Sequence, residues 1–236
     1  MQPRLTRELT HGDPAMKLRD LIALPLLAAT ATAALAQEDT SCRNGLFPTQ
    51  PPFALAQVRG EERAYFHGDM NGCPWARGAC SSPSYVVPGD TVIISKIRKG
   101  YACAYYPSAG GGTAGWVATR RLELKFIENR PQVTAWVGKW TSEGNPELVI
   151  TRKLGGLHVS GEAFWPGRPG THDWPSVHVG EISGPVSISG HIGKYGADEN
   201  LCKVRFTLLG AYLIAGGNNR CGGANVSFSG VYTRQP

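Results

Sequence analysis

Leu157-His158-Val159-Ser160-Gly161-Glu162-Ala163-Phe164-Trp165 is the stretch on which the fold turns. Positions 157, 159, 161, 163 and 165 put Leu, Val, Gly, Ala and Trp on one side, and 158, 160 and 162 put His, Ser and Glu on the other. That period of two marks a strand with one buried face. Working outward, Val177, Val179 and then Val186, Ile188 continue it, as do Cys202, Val204, Phe206, Leu208 and finally Val226, Phe228, Gly230, Tyr232. Seven or eight such strands in about 100 residues predict a closed or nearly closed antiparallel barrel over residues 133–236.

Composition agrees with an all-β chain. Of 236 residues, 30 are Gly and 17 are Pro, too many for a helix-rich fold. Only 18% are charged and 42% are apolar, which excludes both a disordered charged tail and a multi-span membrane protein. A second module is expected over residues 42–127, separated from the barrel at Ile127-Glu128-Asn129-Arg130-Pro131-Gln132. No low-complexity linker intervenes, so the two are expected to pack against each other.

In that first module Tyr85-Val86-Val87 leads through the turn Pro88-Gly89-Asp90 to Thr91-Val92-Ile93-Ile94-Ser95. Further strands read Tyr101-Ala102-Cys103-Ala104-Tyr105-Tyr106 and Gly115-Trp116-Val117, the latter followed by Leu122. Residues 85–124 thereby resemble the bacterial Src-homology-three-like domain. The resemblance implies a small five-stranded, half-open barrel used as a non-catalytic binding module, often for cell-wall material. Ala64-Tyr65-Phe66-His67 fits its first strand, and the insert from Asn71-Gly72-Cys73 to Cys80 departs from the family pattern. In the second module, Trp136-Val137-Gly138-Lys139-Trp140 resembles the Gly-x-Trp start of lipocalin and avidin-type barrels.

Residues 21–36 form an uncharged apolar run after Met16, Lys17 and Arg19 and end in Ala34-Leu35-Ala36, the pattern of a cleaved secretory signal peptide. Residues 1–15 add nothing that export requires, so the start is expected at Met16. This predicts a periplasmic or secreted protein with no stable membrane insertion after cleavage. Removing 36 residues takes four of the 24 basic and three of the 18 acidic groups, leaving 20 − 15 = +5. So modest a charge implies no nucleic-acid partner. All six cysteines lie in the exported part, where three disulfides are expected. A hairpin turning near Gly210 brings Cys202 close to Cys221. The other four permit three pairings, of which the short interval from 73 to 80 favours Cys73 to Cys80 with Cys42 to Cys103.

Catalytic patterns are missing. No Gly-x-Ser-x-Gly, Cys-x-x-Cys or phosphate-binding loop occurs, and an even cysteine count leaves no thiol spare. His158, His172, His178 and His191, with Glu162 and Asp173, match no ligand spacing, although His158 and His178 are candidates to meet across neighbouring strands. Asn225-Val226-Ser227 has the glycosylation form but is expected to begin a strand. No enzyme, cofactor or metal is therefore expected.

What stands out is the aromatics: Tyr101, Tyr105, Tyr106 and Trp116 in the first module, and Trp165 and Trp174 around the loop that carries Arg168 in the second. Aromatic rings give stiff platforms for sugar faces or partner side chains. The expectation is an exported, non-catalytic envelope protein that recognises peptidoglycan, another wall polymer or an envelope protein. The rivals are an inhibitor of a cell-wall hydrolase such as lysozyme, and a barrel whose lumen holds a small apolar ligand.

Overall fold

The structure, a computed structural model, describes residues 39–108, 111–142, 144, 146–166, 177–196 and 202–236. The expected leader over 21–36, the start at Met16, and Arg168 and Trp174 lie outside the described residues. Among the described residues no helix is long and apolar enough to cross a membrane.

β-Branched and aromatic runs punctuated by Gly, Pro and Asp fold into two antiparallel sheets. The first contains β1 (Ala54–Val58), β2 (Ala64–His67), β3 (Ser81–Val86), β4 (Thr91–Arg98), β5 (Tyr101–Tyr106), β6 (Thr113–Ala118) and β7 (Leu122–Lys125). Their order is β3-β2-β6-β5-β4-β1-β7, seven strands where the resemblance implies five. The second contains β8 (Gly138–Thr141), β9 (Leu148–Lys153), β10 (Gly156–Pro166), β11 (Val177–Ser189), β12 (Ile192–Tyr195), β13 (Val204–Leu209), β14 (Tyr212–Gly217) and β15 (Gly230–Arg234). These close into an eight-stranded barrel, β10-β11-β12-β13-β14-β15-β8-β9. The chain is all-β, with the closed antiparallel barrel expected of its C-terminal half.

Three apolar clusters hold it together. Inside the barrel, Trp136, Trp140, Leu148, Ile150, Phe206, Phe228 and Tyr232 are fully buried or nearly so. The first sheet buries Ala56, Val58, Phe66, Val92, Ile94, Ala104 and Val117 on one face. Its other face presents Ile93, Cys103, Tyr105 and Trp116, which join Leu209, Ile214 and Val231 from the outside of the barrel in a shared core. Leu208 and Leu209 of β13, Leu213 and Ile214 of β14, and Val231 and Tyr232 of β15 are thus buried on opposite faces of the same strands, because one face lines the barrel and the other meets the first sheet.

Residues 42–53 are caught in this junction. Phe47 and Phe53 enter the shared core, and Phe47 stacks on Tyr105 with ring centroids 5.3 Å apart. A side chain at Gly216 of β14 would put its Cβ 2.6 Å from the Pro48 carbonyl oxygen, so only glycine permits that approach.

All six cysteines are paired, as Cys42–Cys103, Cys73–Cys80 and Cys202–Cys221. The hairpin of β13 and β14 and the short 73–80 interval select these partners. Three disulfides are compatible with a protein that works outside the cytoplasm.

Candidate functional site

The aromatic residues singled out in the sequence part company in the structure. Trp116 is fully buried, donates its indole N–H to the Thr40 carbonyl at 3.1 Å and packs edge-on against Trp75. Tyr105 is buried and donates its hydroxyl to the Gly111 carbonyl at 2.7 Å. Both belong to the shared core. Tyr101 is half-buried against the edge of His67, whose imidazole is held below its ordinary pKa by burial and by the Arg120 charge. Tyr106 is half-buried with its hydroxyl 3.4 Å from an Asp90 carboxylate oxygen, and burial followed by that carboxylate pushes its pKa up.

Trp165 is different. It was expected to follow Leu157, Val159 and Ala163 into the barrel, yet it is 48% exposed while those three are buried. The reason is strand length. β9 pairs with β10 only as far as Gly161, and β12 pairs with β11 only over Val186–Ser189. The pairs Glu162↔Glu181, Ala163↔Gly180, Phe164↔Val179, Trp165↔His178 and Pro166↔Val177 therefore form a two-stranded ribbon beyond both neighbours. The alternation continues, but past Ala163 it has no lumen to point into.

The same ribbon corrects the reading of β11. Ile182, Gly184 and Val186 face inward, so Val177 and Val179 face outward and are 53% and 65% exposed. Together with Phe164, 76% exposed, they make an apolar outer face, at whose base Glu162 stands opposite Glu181. His178 lies opposite Trp165 and His158 opposite Pro185, so the two histidines do not meet.

The ribbon's inner face rests on the segment between β14 and β15. The Gly223 N–H donates to the Val179 carbonyl at 3.0 Å, and the Cys202–Cys221 disulfide ties this segment to the start of β13. The approach depends on glycine: a Cβ at Gly180 would lie 2.2 Å from the Cys221 carbonyl oxygen and 2.8 Å from Val226 Cγ1. Gly180→Ala is accordingly expected to cost about 1–3 kcal/mol by pushing the ribbon off its support. Ser187→Ala, outward-facing on the same strand, should stay within about 0.5 kcal/mol of the parent. Urea midpoints measure both, and an unshifted midpoint for Gly180→Ala contradicts the packing described.

Val226 and Phe228 are buried and Tyr232 is fully buried, as the alternation predicts, although regular pairing begins only at Gly230. Asn225 thus lies in a turn, and Val226 and Ser227 follow it outside any regular strand rather than opening one. Asn225 takes φ +66° and Asn219 φ +57°, conformations that Asn tolerates better than most residues.

These segments frame Trp165 with two recesses. One, of about 350 Å³, is lined by Gly144, Pro146, Glu162, Phe164, Asn225 and Ser227. The other, of about 540 Å³, is lined by Asn219, Gly222, Gly223, Ala224, Asn225 and Ser227. Trp165, Asn225 and Ser227 border both, so the two hollows adjoin at these three residues. A further recess of about 530 Å³, where the first sheet meets the barrel, is lined by Ser108, Thr141, Ser142, Tyr212 and Thr233 beside the buried Tyr105. Of the residues around the first two recesses, the sequence singles out Trp165. Asn225 and Ser227 are missed because the sequence reads them as opening the strand that runs to Tyr232, and Asn219 because it lies among turn residues that signal only a loop.

Comparison with protein-family models, curated proteins and solved structures finds no match for this chain.

Proposed function

We propose that this is an exported, non-catalytic binding protein of the bacterial cell envelope that holds a wall polymer, peptidoglycan foremost, across Trp165. One observation carries the reading: a half-exposed indole bordering two recesses that share Asn225 and Ser227. A sugar ring is apolar on its faces and hydroxylated at its rim. An indole offers a flat apolar surface for the face, and an amide and a hydroxyl can donate to and accept from the rim. Two adjoining hollows suit an extended chain rather than a single small molecule. The paired cysteines support a place outside the cytoplasm, and the resemblance of residues 85–124 to a wall-associated module points the same way.

The decisive experiment is co-sedimentation of the purified protein with insoluble peptidoglycan at moderate salt. The parent is expected to pellet, and Trp165→Ala to weaken binding by about thirtyfold, the loss of a roughly 2 kcal/mol aromatic contact. Equal pelleting of parent and variant, or pelleting only at low salt through the net positive charge, sinks the reading.

A second reading rests on the ribbon's outer face. Phe164, Val177 and Val179 are apolar and open, and the facing carboxylates of Glu162 and Glu181 repel each other until a basic group sits between them. That chemistry fits an inhibitor of a basic wall hydrolase such as lysozyme. Inhibition lost on Phe164→Ala and retained on Trp165→Ala supports it. The small-ligand reading requires an open lumen, and Trp136, Trp140, Phe206, Phe228 and Tyr232 occupy the barrel interior.

A further inference from the structure

β7 ends the first sheet. It pairs along one edge with β1, through Val58↔Leu122, Gln57↔Glu123, Ala56↔Leu124 and Leu55↔Lys125, and among the described residues no strand lies along its other edge. Cross-strand partners share a face. Leu122 and Leu124 therefore share the face of Val58 and Ala56, both core residues, while Glu123 and Lys125 share the opposite face. Leu122 packs on that core, but Leu124 is 67% exposed, and Phe126, next in the alternation, is 95% exposed. The apolar face of the sheet thus runs out to an open edge and ends on two uncovered side chains.

Open edges invite pairing, and proteins discourage it with short strands, proline, bulges or charges. β7 is short and charged, but it carries no proline, and its two charges are of opposite sign and spaced so that a second copy can pair them. Laid antiparallel on a second copy about a twofold axis at Leu124, the stretch Leu122-Glu123-Leu124-Lys125-Phe126 sets Glu123 opposite the partner's Lys125, Lys125 opposite the partner's Glu123, and Leu124 opposite itself. Leu122 then meets the partner's Phe126 on the apolar face. A shift of the axis by one residue destroys the match. Centred on Glu123, it puts carboxylate on carboxylate and Arg121 against the partner's Lys125, and centred on Lys125 it puts ammonium on ammonium. Opposite charges directly across a strand pair stabilise it and like charges oppose it, so the pattern selects one register.

We propose that β7 is a self-association edge, through which two copies of this chain join by an isologous antiparallel β7–β7 pair into one continuous sheet. The interface repeats the same residues on both sides, as a twofold contact must. It adds main-chain hydrogen bonds along an edge that carries no paired strand among the described residues. It is small, so the dimer forms in the micromolar range rather than as an obligate unit. The proposal stands apart from the Trp165 groove, and neither falls with the other.

Analytical ultracentrifugation of the purified protein over a wide concentration range tests it. The parent is expected to pass from monomer to dimer. Lys125→Glu sets the new carboxylate against the partner's Glu123 and should raise the half-dimer concentration by at least about tenfold, and Glu123→Lys should do the same. The double exchange, Glu123→Lys with Lys125→Glu, restores complementarity and should restore the dimer. All three variants alter exposed side chains and should keep the parent's urea midpoint, which separates lost association from lost folding. A parent that stays monomeric to about 1 mM, a dimer indifferent to Lys125→Glu, or a double exchange as monomeric as the single variants overturns the proposal.

Discussion

Trp116→Ala should lower the stability of the whole molecule by about 3–5 kcal/mol, the range for truncating a large buried aromatic side chain. Trp116 is fully buried and belongs to the cluster in which Ile93, Cys103 and Tyr105 of the first sheet meet Leu209, Ile214 and Val231 of the barrel. Its removal opens a cavity that neither sheet can close alone, because each is held in register by its own ladder. The Thr40 carbonyl also loses the indole N–H that reaches it at 3.1 Å. Against a typical domain stability of about 5–15 kcal/mol, such a loss is a large fraction. The barrel signal and the first-sheet signal should shift together in urea, because the cavity lies in their common core. A residue that served as a ligand platform would behave in the opposite way, with its midpoint unchanged and its binding lost. Trp165, nearly half exposed, is expected to follow that second pattern. An unshifted midpoint for Trp116→Ala would mean that the shared core does not hold the sheets together.

The two tryptophans show what sequence can and cannot distinguish here. The barrel was legible because Leu157, Val159 and Ala163 alternate with polar residues, and a strand with one wet face writes its period into the chain. Trp116 was not legible as core. β5 and β6 are buried on both faces, so Ala102-Cys103-Ala104-Tyr105 and Gly115-Trp116-Val117 carry no polar beat to say which side is inside. The doubly buried strands of the barrel, with Leu209 beside Leu208 and Ile214 beside Leu213, signal the docking of the first sheet in the same unpunctuated way. On β11 the difficulty was different. Gly180 and Gly184 occupy two of its inward positions, and a glycine gives no hint of the face it occupies, so the outward Val177 and Val179 passed for core. Of the candidate site, only Trp165 showed itself. Asn219, Asn225 and Ser227 reach it through a segment whose course is set by a disulfide and by the contact of Gly180 with Gly222, neither of which has a periodicity to read.

Removing the Cys42–Cys103 bridge, by replacing both residues with alanine, should cost far more than removing Cys73–Cys80 in the same way. In the chain-entropy account a cross-link stabilises by restricting the unfolded chain, and the restriction grows with the loop it closes. The separations are 61 and 7 residues, which correspond to roughly 4 and roughly 2 kcal/mol. Position widens the gap. Cys42 and Cys103 are buried in the shared core, whereas Cys73 and Cys80 lie in a half-exposed insert beyond β2. Residues 39–53 have other anchors: Arg43 grips both Asp69 carboxylate oxygens at 2.8 Å, the Cys42 N–H donates to the same carboxylate, and Asn44 donates to the Gly112 carbonyl. Those contacts act in the folded state alone, so they cannot replace what the covalent link does to the unfolded one. The double variant should therefore still fold to the same near-native spectrum and unfold at a much lower urea concentration. Because Phe47 and Pro48 sit between the first sheet and β14, both sheets should be lost in one transition. Equal losses for the two bridges would show that segment 39–53 is already held near its native path in the unfolded chain. A transition that splits in two would show that this segment, rather than the apolar contact beneath it, couples the sheets.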